Sequence, residues 1–172
     1  GRMIALAGFR DEKALLVMFI CRHCPFVKHV QSELSRLGTD YRGRGVGIVA
    51  ISSNDATSYP DDAPERLKEM AVELGFTFPV CFDETQEVAK AYTAACTPDF
   101  FLFDRARTLV YRGQLDDSRP HSGRPVTGRD LRALGSVRLA VIGPATADAL
   151  RRYHLEPDLV PATYDSESLA DT

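Results

Sequence analysis

Continuous apolar runs alternate along this chain with stretches where apolar residues recur every three or four positions. Ala14-Leu-Leu-Val-Met-Phe-Ile20 is apolar throughout and rich in β-formers, which predicts a central strand buried on both faces. From Phe26 to Tyr41, Phe26, Val27, Val30, Leu34 and Leu37 recur at helical spacing, and Gly38 reads as a stop near the helix end. Val46-Gly-Ile-Val-Ala-Ile51 predicts a second buried strand. Residues Ser52 to Pro64 are polar and read as a loop, with Asp61-Asp62 in it. Pro64 to Leu74 reads as a helix that Pro64 opens and Gly75 stops. A short extended stretch, Pro79 to Phe82, and a helical stretch, Glu84 to Ala95, follow. Thr97-Pro98 then breaks the chain before the strand Asp99-Phe-Phe-Leu-Phe103. A turn at Asp104-Arg-Ala-Arg107 leads into the strand Thr108–Arg112, making a β-hairpin. Gly113 to Gly128 is a polar loop, and a helix begins at Arg129.

Buried strands alternating with helices predict an α/β domain, and the late hairpin predicts a mixed rather than all-parallel sheet. After Leu134 the pattern restarts: strand Val137–Ile142, helix Gly143–Tyr153 opening on Gly-Pro, and a further helix start at Tyr164. The expected division is therefore residues 1–134 and 135–172, the second too short to bury a core of its own.

The net charge of −3 is spread over interspersed signs, with no basic stripe to attract nucleic acid. No apolar run approaches the roughly 18–20 residues of a membrane span. With four cysteines in 172 residues the chain is not a disulfide-stapled scaffold, and with no leader in sight a cytoplasmic location is expected. Neither cofactor nor metal is expected, and the composition is silent on oligomeric state.

The candidate chemistry lies where the first strand meets the first helix, in Cys21-Arg22-His23-Cys24-Pro25. Two cysteines at this spacing and place form a redox dithiol signature. At a helix N-terminus the thiolate of Cys21 is favoured by unpaired N–H groups and the dipole, which predicts a depressed pKa and makes Cys21 the attacking thiol. Cys24, one turn on, can resolve a mixed disulfide. His23 adds an ionisable group that, when protonated, favours the thiolate and a more oxidising disulfide. Pro98 between helix and strand suits a cis peptide lying against the dithiol, offering a strand-like edge to substrate, with Cys96 close by. A zinc site would want a second CxxC or an HxxxH, and neither occurs. Cys81 and Cys96 read as ordinary free cysteines, and Lys28, His29 and His121 as solvated groups.

These stretches also carry a resemblance. Leu15 to Val30, Ile51-Ser-Ser-Asn-Asp55, Asp83 to Tyr92, Cys96 to Asp104 and Gly113 to Leu131 together resemble the peroxiredoxin-like (AhpC/TSA-like) branch of the thioredoxin superfamily. The resemblance implies a thioredoxin fold with an extra helix after the second strand, and thiol–disulfide exchange with protein or small-molecule thiols. True peroxiredoxins share a Pro-x-x-x-Thr-x-x-Cys motif. With Cys24 as its cysteine, the proline and threonine positions hold Val17 and Cys21, which argues against a thiol peroxidase. Thioredoxin has a buried carboxylate on the strand before its dithiol, whereas Ala14–Ile20 has none, leaving proton transfer to His23, water or a group elsewhere. Residues 137–172, through Val137 to Leu150 and Pro157 to Pro161, are similar to a C-terminal segment of uroporphyrinogen-III synthase. That resemblance implies tetrapyrrole chemistry, with Gly143 and Thr146 at a helix start suited to an anion. A non-catalytic thioredoxin-like module is the remaining alternative.

Overall fold

The structure is a computed structural model that describes residues 2–116, 118–126 and Asp148. The expected helix at 129–134 and the strand and helices of residues 137–172, including Gly143 and Thr146, lie outside the described residues.

A short 3₁₀ turn, Leu6–Phe9, precedes β1, Ala14–Phe19. Then come α1, Pro25–Asp40; β2, Val46–Ser52; a 3₁₀ turn, Pro60–Asp62; and α2, Pro64–Glu73. The remainder is β3, Val80–Phe82; α3, Glu87–Tyr92; β4, Asp99–Phe103; and β5, Leu109–Gly113. The strands form one sheet in the order β3-β2-β1-β4-β5. β1 runs parallel to β2 and β2 to β3, while β4 is antiparallel to both β1 and β5. The sheet is mixed, as the hairpin required, and α2 is the extra helix between the second and third strands.

β1 is buried at all six positions because both faces of the sheet are covered. Leu16, Met18 and Ile20 face one core with Val27, Val30, Leu34 and Leu37 of α1 and Leu67 and Met70 of α2. Leu15, Val17 and Phe19 face the other, with Val49, Ile51 and Phe101, and Tyr92 of α3 packed against it. The period-two alternation of a strand makes this division.

Three local readings change. Phe26 falls off the α1 stripe and is exposed, so the buried spacing is 27, 30, 34, 37. Gly38 is not a stop. α1 runs on to Asp40, and Gly38 is buried where a Cβ would come within 2.7 Å of Thr77 Oγ1 and 2.8 Å of the Phe78 ring. α3 is shorter than the 84–95 stretch, closed off by positive φ at Gln86 (60°) and Thr93 (53°). The buried Asp83 carboxylate accepts the N–H groups of Val88 and Ala89 and so satisfies the first turn of α3. No described helix is long and apolar enough to cross a membrane.

Candidate active site

Three loops meet at one edge of the sheet because of strand direction. Parallel pairing sets Phe19 of β1 against Ile51 of β2, so both strands end there. Antiparallel pairing sets Phe19 against Asp99, so β4 begins there. The loop after β1 carries the dithiol, the loop after β2 carries Asp62, and the loop before β4 carries Thr97-Pro98.

The helix starts later than the dithiol spacing suggests. Pro25 is its first residue, and Cys24, extended at φ −64° and ψ 124°, is the N-cap. The free N–H groups of the first turn therefore lie nearest Cys24. Cys21 lies two residues past the end of β1, still in the core at 1% exposed, against 8% for Cys24. Burial pushes the Cys21 thiol above its ordinary value. The Thr97 hydroxyl works against that shift and the nearby Asp62 charge adds to it. The depressed pKa expected of Cys21 is thus reversed, because the sulfur is desolvated in the core rather than held at a helix end.

Thr97 joins the two sulfurs. Its Oγ1 lies 3.3 Å from Cys21 Sγ, and its carbonyl accepts from the Cys24 thiol at 3.2 Å. The Thr97-Pro98 peptide is cis. Cys96 is exposed just before it, with Sγ 3.8 Å from the Pro98 carbonyl. Partial burial raises its pKa, and the nearby charge of Asp99 adds to that. Cys81 is not brought in. It packs against the core on the opposite face of the sheet, and burial raises its pKa.

Sequence reasoning missed Asp62. Its side chain is fully buried. Oδ1 accepts the backbone N–H of Arg22 at 2.7 Å and of His23 at 3.3 Å. Oδ2 pairs with His23 Nδ1 at 2.6 Å and accepts the Asn54 amide at 2.8 Å. Four N–H donors fill the four lone-pair positions of the carboxylate, and the Cys-Arg-His-Cys loop folds around it. The His23 ring stacks on Tyr59, centroids 4.5 Å apart and planes 4° from parallel, with 35% of its side chain exposed. Arg22 points away to α2, where its guanidinium meets the Arg66 carbonyl, Glu69 and Glu73. His29, expected in solvent, is half-buried and bonds Ser118 Oγ, which in turn donates to Asp116.

A sulfur of Cys21, a ring nitrogen of His23 and an oxygen of Asp62 lie within 4.8 Å of one another, a set that metals favour. Both Asp62 oxygens are already saturated, however, so the carboxylate serves the loop and the imidazole as arranged. The chemistry this cluster supports is proton transfer beside a thiol.

Residues 1–112 match the family model described as AhpC/TSA family, and residues 115–172 match that of uroporphyrinogen-III synthase HemD. No curated protein matches the chain. The crystal structure of an uncharacterized conserved protein from Geobacillus kaustophilus is similar at 61% identity, over 77% of this chain and 70% of that one, with a TM-score of 0.74. A hypothetical protein, SMc02350 from Sinorhizobium meliloti 1021, is 44% identical over 91% of this chain and 78% of its own, with a TM-score of 0.77. A thioredoxin-like protein solved in its oxidized form is 24% identical over 59% and 66%, with a TM-score of 0.52, and shares the fold. With a thioredoxin-like sheet, a dithiol loop where the family model applies and well over half the chain inside that model, this protein belongs to the AhpC/TSA family.

Proposed function

We propose that the protein is a thiol–disulfide oxidoreductase working through a reversible Cys21–Cys24 disulfide, with protein or small-molecule thiols as substrates. The observation that carries this reading is the convergence of both sulfurs on Thr97, one on its hydroxyl and one on its carbonyl, beside a cis proline. Two thiols held by one residue at a strand-to-helix junction are placed to exchange a disulfide with a chain docked along the Thr97-Pro98 edge. The proposed roles are Cys21 and Cys24 as redox pair, His23 as proton carrier, and Thr97, Pro98 and Cys96 as substrate edge. The test is a thiol-trapping redox titration with peptide mapping. One two-electron transition linking Cys21 to Cys24 supports the reading. A chain that stays reduced at both across the titration removes it.

The match of residues 115–172 to the synthase model favours a second reading, tetrapyrrole chemistry through Gly143 and Thr146. A helix start favours an anion by only about 0.3–1 kcal/mol when exposed, far short of holding a linear tetrapyrrole with many carboxylates. Incubation with hydroxymethylbilane should give no type III product above the spontaneous type I background. Clear type III formation would promote this second reading.

A further inference from the structure

We infer that a cleft at the same edge of the sheet as the dithiol takes a cationic side chain of the substrate, a lysine or arginine about three residues from the disulfide. The cleft has a volume of about 500 Å³, within the range of ligand sites, and lies between the loop after β2 and the loop after β3. The inference rests on the dithiol reading above and adds to it the charge of the substrate.

Strand direction places the cleft. β1, β2 and β3 run the same way, so the loops that follow them open at one edge. The crevice outside the carboxyl ends of parallel strands is where open α/β sheets bind ligands. The loop after β2 is the wall between dithiol and cleft. On the dithiol side its Asp62 bonds Arg22 and His23, and its Tyr59 stacks on the His23 ring. On the cleft side Ser53 Oγ donates to Asp83 at 2.9 Å, and the Ser53 carbonyl accepts the Gln86 side-chain amide at 2.9 Å. These two bonds tie the loop after β3 to the wall.

Each loop puts one carboxylate into the cleft, Asp55 from the first and Glu84 from the second. Thr57 and Thr85 add hydroxyls, and Phe82 and Pro64 add apolar surface. Among the described residues no lysine, arginine or histidine lines it. Lys90 of α3 is turned to the Thr85 carbonyl, 3.5 Å away. The Ser58 hydroxyl at 2.7 Å and the Thr57 N–H at 2.9 Å donate to Asp55 and hold its carboxyl below the usual value. Glu84 has neither hydrogen bond nor ion pair among the described residues. A second polar demand lies behind Phe82. Its register partner on β2, Ser52, is fully buried, and the Ser52 hydroxyl has no hydrogen-bond partner among the described residues. A ligand N–H, or a water that a ligand brings, is what that hydroxyl lacks.

Carboxylates facing apolar surface suit a side chain with an apolar stem and a charged head, which describes lysine and arginine. An anionic side chain would meet like charge from both loops. Neighbouring strands lie about 4.8 Å apart, so the end of β3 is about 10 Å from that of β1, or about three residues of extended chain. That span sets where the basic residue stands relative to a disulfide docked at the dithiol.

The experiment mixes the reduced full chain, in excess, with three self-quenched disulfide peptides. They differ only at the third residue from the cysteine, which is arginine, glutamine or glutamate. The rate of reduction should fall in that order, with the difference in the half-saturating chain concentration and not in the limiting rate. Glu84→Gln should narrow the arginine-to-glutamate ratio by up to about fivefold, and Glu84→Lys should invert it. Asp11→Asn, the same charge change placed before β1, should leave the ratio unchanged. Free N-acetylarginine amide should compete only at far higher concentration than the peptide, because it lacks the tether. Competition as strong as the peptide's would reassign the cleft to a free small cation and overturn the proposal. Equal rates for all three peptides would also overturn it and leave the dithiol reading standing. If no peptide is reduced, the dithiol reading falls, and the arginine peptide with serine in place of cysteine still decides the cleft by fluorescence anisotropy. Binding that Glu84→Lys abolishes supports the cleft, and binding that it leaves unchanged overturns it.

Discussion

At the scale of single residues, the same dithiol spacing gives two different sulfurs. Cys24 sits at a helix start and Cys21 in the core, and the difference comes from where the first turn begins. Pro25, already at the first helical position, fixes that beginning, since it carries no N–H that the helix would need to satisfy. The direction of the Cys21 shift has a plain consequence. A thiol raised above the ordinary 9.0 is less ionised at neutral pH than a free thiol. Alkylation of the reduced protein, followed by peptide mapping across pH, should therefore show Cys21 reacting more slowly than free cysteine at pH 7, with a midpoint above 9.0. Faster reaction at neutral pH would mean that the burial described here is not what Cys21 meets in solution. Peroxide makes a second test at the same residue. Cys21 stands where a peroxidatic cysteine at 24 would want a threonine hydroxyl. Stopped-flow oxidation by hydrogen peroxide should accordingly be slow beside disulfide exchange, and a rate typical of a dedicated peroxidase would reverse the assignment.

At the scale of elements, α1 shows how a residue can be read correctly as important and wrongly as to why. A glycine near the end of a helical stripe is the ordinary mark of a stop, so Gly38 reads as one. In the fold it is a contact, with the Thr77 hydroxyl and Phe78 ring filling the space a side chain would take. Gly38→Ala gains helix propensity, worth about 1 kcal/mol at most. It also forces a Cβ against Phe78, an overpacking that costs typically 1–3 kcal/mol. The balance predicts a net loss of about 1 kcal/mol, read as a lower urea midpoint with an unchanged slope. A stabilised variant would show that the loop carrying Thr77 and Phe78 gives way easily. Gly75, by contrast, is the stop its position suggests. It follows α2 with φ +64° and open space around it. The two glycines differ in backbone conformation and in what lies across from them, and the second of these local pattern does not encode.

At the scale of the molecule, how much was legible follows from whether a feature has a period or a neighbour in sequence. The central strands and the two-sided burial of β1 are written in continuous apolar runs, and the dithiol and Thr97-Pro98 in their own residue types. Asp62 is written in neither. It comes from a polar loop 39 positions beyond His23 and becomes part of the site only because β1 and β2 run parallel and end at one edge. A buried carboxylate, which β1 lacks, thus reaches the dithiol loop through topology rather than from the strand. Burial across the fold also sets the alkaline limit of stability. Cys21 and Cys81 are raised above 9.0, and Tyr92 and Tyr111 above 10.0, with Tyr111 pushed up to about 12, in each case chiefly by desolvation. These groups bind their protons more tightly folded than unfolded. Their contribution is therefore complete below the ordinary thiol range and is lost as pH rises through the folded values. The melting temperature should hold up to about pH 9 and fall from there toward about pH 12. Tyr111→Phe separates one member of the set. The phenol donates to the Gln114 carbonyl at 2.7 Å, so its loss costs about 1 kcal/mol near neutral pH. The variant no longer has that proton to lose, so its decline above pH 10 should be shallower than that of the native chain. The two stability curves should converge as pH rises. Parallel curves would mean that Tyr111 ionises as easily folded as unfolded, and that its burial in the sheet is not maintained at alkaline pH.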